Sequence, residues 1–140
     1  MFEIRIPVSM PHPDEPYMTF EQLTYFRGKL LSWRAELSFD YRNSLKKMNE
    51  PDSRPIEEME RSAHAVDREI DLYNQTRLHQ LIRRIDEALD RIELGTYGYC
   101  EETDEPIGLD RLEASPVASY CLSVQEQLEL KEKKLKARIY

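Results

Sequence analysis

Two cysteines, Cys100 and Cys121, stand where a four-cysteine zinc knuckle would place the first member of each Cys-x-x-Cys pair. The second members are Thr103 and Val124. Structural zinc needs four donors in a closed tetrahedron, and these two positions do not complete the set. The histidines, at positions 12, 64 and 79, belong to the predicted arm and hairpin. We therefore expect no bound zinc and a knuckle that is held together by packing alone.

Apolar residues near the cysteines are numerous enough to fill such a knuckle. They are Tyr97, Tyr99, Ile107, Leu109, Leu112, Val117 and Leu122. A second interpretation makes the cysteines a redox-sensing pair. Reactive thiols need neighbours that lower the thiol pKa, whereas Glu101 and Glu102 would raise it. The packing interpretation is the one we retain.

A second group of chemically suggestive residues lies in the stretch 49–62, which contains Pro51 and Pro55. A proline ends a preceding helix, and it is also accepted at the first position of a new one. Glu57 and Glu60 are three residues apart and would share a helix face. Acids in a first turn stabilise a helix by roughly 0.3–1 kcal/mol each through its dipole. The alternative interpretation is contact with basic groups of a partner, or with a Mg²⁺ ion or its waters.

Two long helical patterns flank this stretch. Thr19 and Gln22 predict a capping box, after which apolar residues recur every three or four positions at 23, 26, 30, 33, 37, 41, 45 and 48. The second pattern begins at Pro55, runs through 59, 63, 66, 70, 73, 78, 81, 85, 89 and 92, and ends near Gly95. Its five-residue step from Tyr73 to Leu78 changes the phase of the stripe. Two stripes joined by a short turn predict an antiparallel coiled coil, with Tyr73 in its seam and Trp33 in a core.

These elements predict a mainly α protein: a long antiparallel coiled-coil hairpin attached to a small globular domain with a degenerate zinc knuckle and a C-terminal helix. We expect residues 1–32 to comprise an N-terminal arm, with a short strand near 2–6, and the start of the first helix. The hairpin is expected at 33–94, with its tip near 49–62. Residues 95–140 are expected to form the globular domain, whose last helix covers 124–140 and is basic.

The composition excludes several classes of protein. The net charge of -7 argues against duplex DNA as the main partner, because basic residues provide the general attraction to phosphates. Mean hydropathy is -0.70, and the sequence has neither an apolar run of membrane-spanning length nor a signal peptide. We expect a cytoplasmic monomer. No nucleophile with a plausible base and no phosphate-binding loop is evident, so we expect no enzyme.

Three blocks of the sequence are similar to the DksA/TraR family of bacterial transcription factors. They are Gly98-Tyr99-Cys100-Glu101, Pro106-Ile107-Gly108, and Arg111-Leu112-Glu113-Ala114-Ser115-Pro116. The first long helix agrees independently from Tyr17 through Leu37, and the resemblance extends over residues 17–135. It implies entry into the secondary channel of bacterial RNA polymerase and modulation of initiation, usually together with the alarmone ppGpp. It also implies no reading of DNA sequence. The cysteine pattern resembles members that lack zinc.

The resemblance also implies particular functional positions. The family's tip motif falls on Glu57, Glu60, Arg61 and Ser62, where each carboxylate is one methylene longer than the usual aspartate and serine replaces alanine. Basic residues of the polymerase and ppGpp surface correspond to Arg77, Arg84, Ser115 and Gln125. The last two are not basic, which weakens the expectation of ppGpp binding, because phosphate recognition depends on charge-assisted contacts.

Two other functions fit the residues. A hairpin with two tip carboxylates could hold a second Mg²⁺ in the polymerase active site and promote transcript cleavage. A coiled-coil adaptor that dimerises and has no polymerase role is the third hypothesis. The initiation regulator is preferred because the remainder of the chain matches that family. The basic C-terminal helix is either a solvated face or a contact with an acidic surface of polymerase.

Overall fold

The computed structural model describes residues 16–49 and 58–139, without the side chains of Glu58, Met59, Ser62 and Ile139. This part of the chain contains four helices: α1 Phe20–Asn49, α2 Glu58–Leu94, α3 Leu109–Ala114 and α4 Leu122–Ile139. The prediction of a mainly α protein with a coiled-coil hairpin and a small globular domain is confirmed. No helix of the described ranges is long and apolar enough to span a membrane. The predicted strand near 2–6 lies outside the described residues.

The predicted ends of the long helices are confirmed where they can be seen. The backbone N–H of Thr19 donates to Gln22 Oε1, and the N–H of Gln22 donates to Thr19 Oγ1, both at 3.2 Å, which completes the capping box. After the C-terminal end of α2, Gly95 has a φ of 79°, the left-handed conformation that commonly ends a helix. The structure describes α2 from Glu58 onward, so the predicted start at Pro55 lies outside its described part.

The chain forms two compact units. One comprises Met1–Leu30 with Glu87–Tyr140, and the other comprises Leu31–Asp86. Each long helix therefore contributes to both units. The second unit contains the paired parts of α1 and α2, and the first contains α3, α4 and the loops between α2 and α4.

Two side-chain contacts define how the helices pair in the Leu31–Asp86 unit. Arg34 Nε donates to Asp86 Oδ1 at 2.6 Å, and Nη2 donates to Oδ2 at 3.3 Å. Seven residues further along α1, the Tyr41 ring lies 6.1 Å from the ring of His79, seven residues back along α2. The helices are thus antiparallel, and one heptad on α1 corresponds to one heptad on α2. In this register the end of α1 at Asn49 is about level with position 71 of α2.

The apolar seam between α1 and α2 is buried along only part of α2. Ile85 is fully buried in this unit, and Leu37 of α1 is 8% exposed. The predicted seam residues of the first turns of α2 are exposed instead: Ala63, Val66, Ile70 and Tyr73. Tyr73, at 70% exposed, is not a seam residue, and that prediction is wrong.

The heptad count explains the error. Counting back in steps of seven from Leu78 gives Asp71 and His64. The same count from Leu81 gives Asn74, Asp67 and Glu60, and all five residues are polar and exposed. Val66, Ile70 and Tyr73 each precede one of these positions by one residue. One residue corresponds to a rotation of about 100° around a helix axis. The apolar stripe at the start of α2 therefore does not face α1.

The buried part of the seam ends near Gln75. The amide nitrogen Nε2 of this residue is buried without a hydrogen-bond partner among the described residues. The hydroxyl of Thr76 donates to the carbonyl of Leu72 at 2.9 Å, one turn back in the same helix. A buried unpaired amide weakens a seam locally, because its lost hydration is not replaced.

The other unit is built around large apolar side chains from α1, α3 and the loop after α2. Phe26 and Leu112 are fully buried, and Tyr97 is 1% exposed with its ring centroid 5.8 Å from that of Phe26. Helix α3 was not predicted. An isolated antiparallel bridge joins Tyr99 and Pro106, where a small hairpin was expected. The prediction that Leu122 fills this core is wrong, since it is 57% exposed at the start of α4.

The seam boundary can be tested by paired truncations. Ile85→Ala should lower the free energy of unfolding by about 2–5 kcal/mol, because it leaves a cavity at a fully buried position. Ile70→Ala should lower it by no more than about 1 kcal/mol, because the side chain is already half exposed. Urea denaturation followed by far-ultraviolet circular dichroism measures both. Equal losses would show that Ile70 is packed in the seam.

Candidate functional site

The knuckle is held together at its centre by the side chain of Tyr17. Its hydroxyl donates to the carbonyl oxygen of Gly98 and accepts from the backbone N–H of Gly108, the latter at 3.0 Å. The N–H of Ile107 also donates to the Gly98 carbonyl, at 2.8 Å. Partial burial raises the pKa of Tyr17 above its ordinary value, so the hydroxyl keeps its proton at neutral pH. One phenol therefore connects the two chain segments on either side of the Cys100 loop.

Gly98 is required at this point for two reasons. Its φ of 89° is one that L side chains rarely adopt. A Cβ atom there would lie 2.8 Å from Met18 Sδ and 3.1 Å from the Tyr17 hydroxyl. The close approach of the N-terminal segment to the knuckle therefore depends on glycine.

Three further side chains connect the knuckle loops to the helices. The Tyr97 hydroxyl donates to the Pro116 carbonyl at 2.7 Å, and Arg111 Nε donates to the Tyr120 carbonyl at 3.1 Å. Arg91 on α2 donates to the carbonyl of residue 117 at 3.5 Å and lies 3.7 Å from the carboxylate of residue 101. These bonds hold the segment before Cys121 against Tyr97, α2 and α3, and the Glu101 N–H, which donates to the Ser119 carbonyl at 2.9 Å, joins the two cysteine-bearing segments directly.

Cys100 has an electrostatic environment that the residue types did not reveal. Burial raises the pKa of its thiol, but hydrogen bonds from the Thr103 hydroxyl and from the N–H groups of Thr103, Glu102 and Cys121 lower it to about 6. The expectation that nothing nearby lowers this pKa is therefore wrong. Three of the four donors are backbone N–H groups that the loop directs at the sulfur, and their direction cannot be read from the sequence. Thr103 occupies a ligand position of the four-cysteine pattern, and its hydroxyl donates a hydrogen bond to the Cys100 sulfur.

The donor set does not fit a structural zinc ion. Both cysteines are free thiols, and the Cys121 sulfur lies 3.4 Å from the Ser123 hydroxyl oxygen. The fourth position is Val124, which is 6% exposed and belongs to the apolar core. No group of three or more histidine, cysteine, aspartate or glutamate side chains that could hold a metal occurs in the described ranges. No function of the site is therefore derived through zinc.

A polar cluster that sequence reasoning missed joins α1 to α3. Lys29 Nζ donates to Glu113 Oε1 and to the Glu113 carbonyl, both at 2.8 Å, and the Tyr25 hydroxyl donates to Oε1 at 2.7 Å. Burial and the bond to the carboxylate raise the pKa of Tyr25 to about 12. Tyr25 and Lys29 are four residues apart on one face of α1, which was the available sequence signal. Their partner is 84 residues from Lys29, so the pairing itself could not be foreseen.

The predicted tip residues lie at the beginning of α2 where they are described. Glu60 and Arg61 are exposed in the first turns of the helix. Ser62 lies in the same helix, although its side chain is not among those described, and Glu57 lies outside the described residues. The structure therefore places one predicted carboxylate and its neighbouring guanidinium in solvent.

The four predicted positions of the polymerase and ppGpp surface divide between the units. Arg77 and Arg84 are exposed on α2 in the Leu31–Asp86 unit. Ser115 ends α3, and its N–H donates to the carbonyl of residue 111 at 2.8 Å. Gln125 on α4 donates its side-chain amide to Glu129 Oε1 at 3.1 Å, so the group beside it is an anion. Neither position in the globular unit supplies positive charge.

An antiparallel helical hairpin, together with a knuckle that keeps two cysteines of a four-cysteine pattern, defines a class of coiled-coil proteins with a zinc-finger-derived domain. Two family models match this chain. That of the DnaK suppressor protein DksA, N-terminal domain, matches residues 22–92, and that of the prokaryotic dksA/traR C4-type zinc finger matches residues 95–130. The chain belongs to the DksA family.

Relatives extend the match over most of the chain. A protein of Caulobacter vibrioides, named RNA polymerase-binding transcription factor DksA, is 42% identical over 123 residues, which cover 88% of this chain and 87% of the relative. The protein of that name from Escherichia coli K12 is 32% identical, with 88% and 82% covered. The solved structure of transcription factor DksA2 from Pseudomonas aeruginosa superposes with a TM-score of 0.77 at 36% identity, covering 87% of this chain and 94% of that one.

The Tyr17 hydroxyl should be essential to the stability of the globular unit. Tyr17→Phe leaves the Gly108 N–H without its partner, whereas the Gly98 carbonyl keeps its bond from the Ile107 N–H. A buried donor left unpaired costs about 1–3 kcal/mol when water does not replace the partner. We expect a fall in the free energy of unfolding within that range, measured by thermal denaturation. Tyr73→Phe, at an exposed position, is the matched control and should change little. Equal stability of the two variants would contradict the bridging role.

The Glu113 cluster predicts that the free energy of unfolding depends on pH. Burial raises the pKa of this carboxyl, but hydrogen bonds from Lys29 and Tyr25 outweigh burial and leave the pKa below its ordinary value. A carboxyl with a depressed folded-state pKa stabilises the fold above its unfolded-state pKa, near 4.3, and the stabilisation is lost as pH falls through the folded-state pKa. Glu113→Gln should therefore be less stable than the parent chain at pH 7, and the difference should shrink in acid.

The matched control for this variant is Glu102→Gln, which changes an exposed carboxyl of the same unit. Unfolding curves measured from pH 7 down to pH 3 give the comparison. A stability difference for Glu113→Gln that does not vary with pH would mean that the carboxylate charge is not what stabilises the cluster.

Proposed function

We propose that this chain is a regulator of transcription initiation that binds bacterial RNA polymerase through the secondary channel, with the first turns of α2 leading. The observation that supports polymerase binding most directly is family membership along nearly the whole chain, with relatives named RNA polymerase-binding transcription factors. It acts in the cytoplasm as a monomer, without sequence-specific DNA binding and without enzymatic activity of its own. The hairpin supplies the reach, and the residues at the start of α2 supply the contact with the polymerase interior.

The tip residues support this proposal through their surroundings. Glu60 and Arg61 are exposed and form no part of a core. The helix dipole alone accounts for an acid at this end of α2, at roughly 0.3–1 kcal/mol. A charged pair in the first turns of α2 is in addition free to meet basic groups or a bound Mg²⁺ of a partner, because nothing in the described part of the fold engages it.

The role of ppGpp in this proposal is limited by charge. Of the four surface positions, only Arg77 and Arg84 are cationic, and the amide of Gln125 is engaged by Glu129. Pyrophosphate recognition relies on several converging cations. We propose that the chain binds polymerase without needing the alarmone and that ppGpp changes its affinity only a few-fold.

The decisive experiment is competition with another secondary-channel factor for purified core polymerase, with and without ppGpp. The chain should displace that factor at micromolar or lower concentration under both conditions. Failure to bind core polymerase at all would end the proposal.

The tip should act after binding has occurred. Glu60→Ala should abolish the effect on promoter-complex lifetime while leaving polymerase affinity within a few-fold, because the affinity comes from a larger surface than one carboxylate. Transcription from a responsive promoter and a binding titration give the two values. Glu126→Ala, at an exposed acid of α4, is the control and should change neither. Parallel loss of affinity and effect would show that Glu60 only docks the protein.

The knuckle is proposed to function without zinc. The Glu101 N–H donates to the Ser119 carbonyl at 2.9 Å, so a backbone hydrogen bond already joins the two cysteine-bearing segments, and the bonds of Tyr17, Tyr97 and Arg111 hold the neighbouring loops. Metal analysis of the purified chain should give far less than one zinc per chain, and EDTA should leave the melting temperature unchanged. A stoichiometric zinc content, or a lower melting temperature in EDTA, would show that the two thiols bind metal with other ligands.

A further inference from the structure

The first turns of α1 carry a narrow, uncharged stripe on their exposed side. It consists of Phe20, Thr24, Gly28 and Leu31, spaced four, four and three residues apart, and is called the outer stripe below. Phe20 is 85% exposed and Leu31 is 46% exposed, and the two small residues between them are exposed as well. Leu31 directly follows the fully buried Leu30, so the outer stripe is rotated by about 100° from the packed side of the helix.

Two details make the outer stripe suitable for burial under another segment. The hydroxyl of Thr24 donates to the carbonyl of Phe20 at 2.8 Å, so covering this side chain leaves no hydroxyl unpaired. Gly28 lies in the interior of the helix, where glycine is a poor helix former. A Cβ atom at this position would meet no atom of the described chain within 4 Å. The described packing therefore does not require glycine, whereas the close approach of another backbone would.

Other exposed apolar side chains of the globular unit do not form such a surface. Leu130 and Leu135 on α4 are 55% and 65% exposed, but their five-residue spacing places them about 140° apart around the helix. One extended segment cannot contact both of them, whereas it can follow positions that recur on one side of α1.

The chain itself provides a segment of matching chemistry in residues 1–15, which lie outside the described ranges and are called the arm below. Prolines at positions 7, 11 and 13 disfavour a helix and favour extended backbone before them. Alternate side chains of an extended segment point to opposite sides. Apolar residues occupy every second position of the arm and would form one edge: Phe2, Ile4, Ile6, Val8 and Met10.

The arm begins beside the outer stripe and is long enough to cover it. Tyr17 and Met18 form a turn directly before α1, with a φ of 55° at Met18, and the Tyr17 hydroxyl is bonded to the knuckle. Fifteen extended residues reach about 50 Å, whereas the outer stripe is about 17 Å long. A segment tethered at such short range has an effective concentration on the order of millimolar, so a small apolar contact is enough to hold it.

A second copy of this chain is a poorer occupant. The outer stripe has two large side chains, Phe20 and Leu31, and one of them is already half covered. Two such side chains fall well short of the roughly 800 Å² that each partner buries in a standard interface. A tethered segment needs no area of that size, because most of the entropy of association has already been lost through the chain connection.

We propose that the arm folds back along α1 and covers the outer stripe, with its apolar edge against Phe20 and Leu31 and its backbone close to Gly28. Glu3 and Arg5 then lie on the opposite edge of the arm, in solvent. The arm thereby shields an apolar strip of α1 from contact with other molecules. The contact belongs to the free chain, so it holds whether or not RNA polymerase is the partner.

The test compares two double variants of the full chain that keep the same net charge. Ile4→Ser with Ile6→Ser removes the apolar edge of the arm, and Glu3→Ser with Arg5→Ser removes the charges of the opposite edge. Thermal denaturation followed by circular dichroism gives the melting temperatures, and light scattering gives the mass. We expect the isoleucine variant to melt about 2–6 °C lower than the parent chain and the charge variant to melt within about 1 °C of it.

A double-mutant cycle identifies the surface that the arm covers. In a chain that carries Phe20→Ala and Leu31→Ala, the isoleucine substitutions should lower the melting temperature by less than half as much, because their contact has already been removed. Gly28→Gln gives a second readout with a definite sign. The larger side chain should lower the melting temperature by displacing the arm, whereas on an uncovered helix it should raise it, since glutamine is the better helix former.

Three results would overturn the proposal. Equal melting of the isoleucine variant and the parent would mean that the outer stripe is uncovered in the free chain, whichever partner covers it later. Full additivity in the cycle, or a higher melting temperature for Gly28→Gln, would mean that the arm packs elsewhere. A parent chain that is dimeric, with a monomeric isoleucine variant, would make a second copy the occupant.

Discussion

A helix can present only one continuous stripe to a neighbouring helix, and α2 carries two stripes that differ in phase by one residue. The stripe that includes Leu78, Leu81 and Ile85 keeps the seven-residue spacing of a coiled coil and is turned toward α1. The stripe of Val66, Ile70 and Tyr73 is rotated away by about 100°. Both cannot be buried by the same partner. The partial pairing of the hairpin and the exposure of Val66, Ile70 and Tyr73 both follow from this constraint.

A knuckle that folds without zinc, as proposed for this chain, must replace a strong interaction by weaker ones. A structural zinc ion contributes on the order of 10–16 kcal/mol to the folding of a small domain. Each hydrogen bond that holds the knuckle loops here contributes only about 0.5–1.5 kcal/mol net. The bonds of Tyr17, Tyr97 and Arg111 therefore cannot replace zinc by themselves. Burial of Phe26, Tyr97 and Leu112 must supply much of the remainder, and it does so because α1 and α3 contribute to the same core.

Local signals were sufficient for part of this structure. The capping box at Thr19, the apolar steps of α1 and the glycine after α2 each depend on residues within about one turn of each other, and each was predicted correctly. The predicted seam extended too far toward the start of α2. Apolar steps of three and four residues indicate one apolar face on a single helix, whereas pairing with a second helix requires the stricter repeat of seven. The bridge from Tyr17 to Gly98 joins residues 81 positions apart, and no local pattern indicates it. The same is true of the N–H groups around Cys100, whose direction is a property of the folded loop.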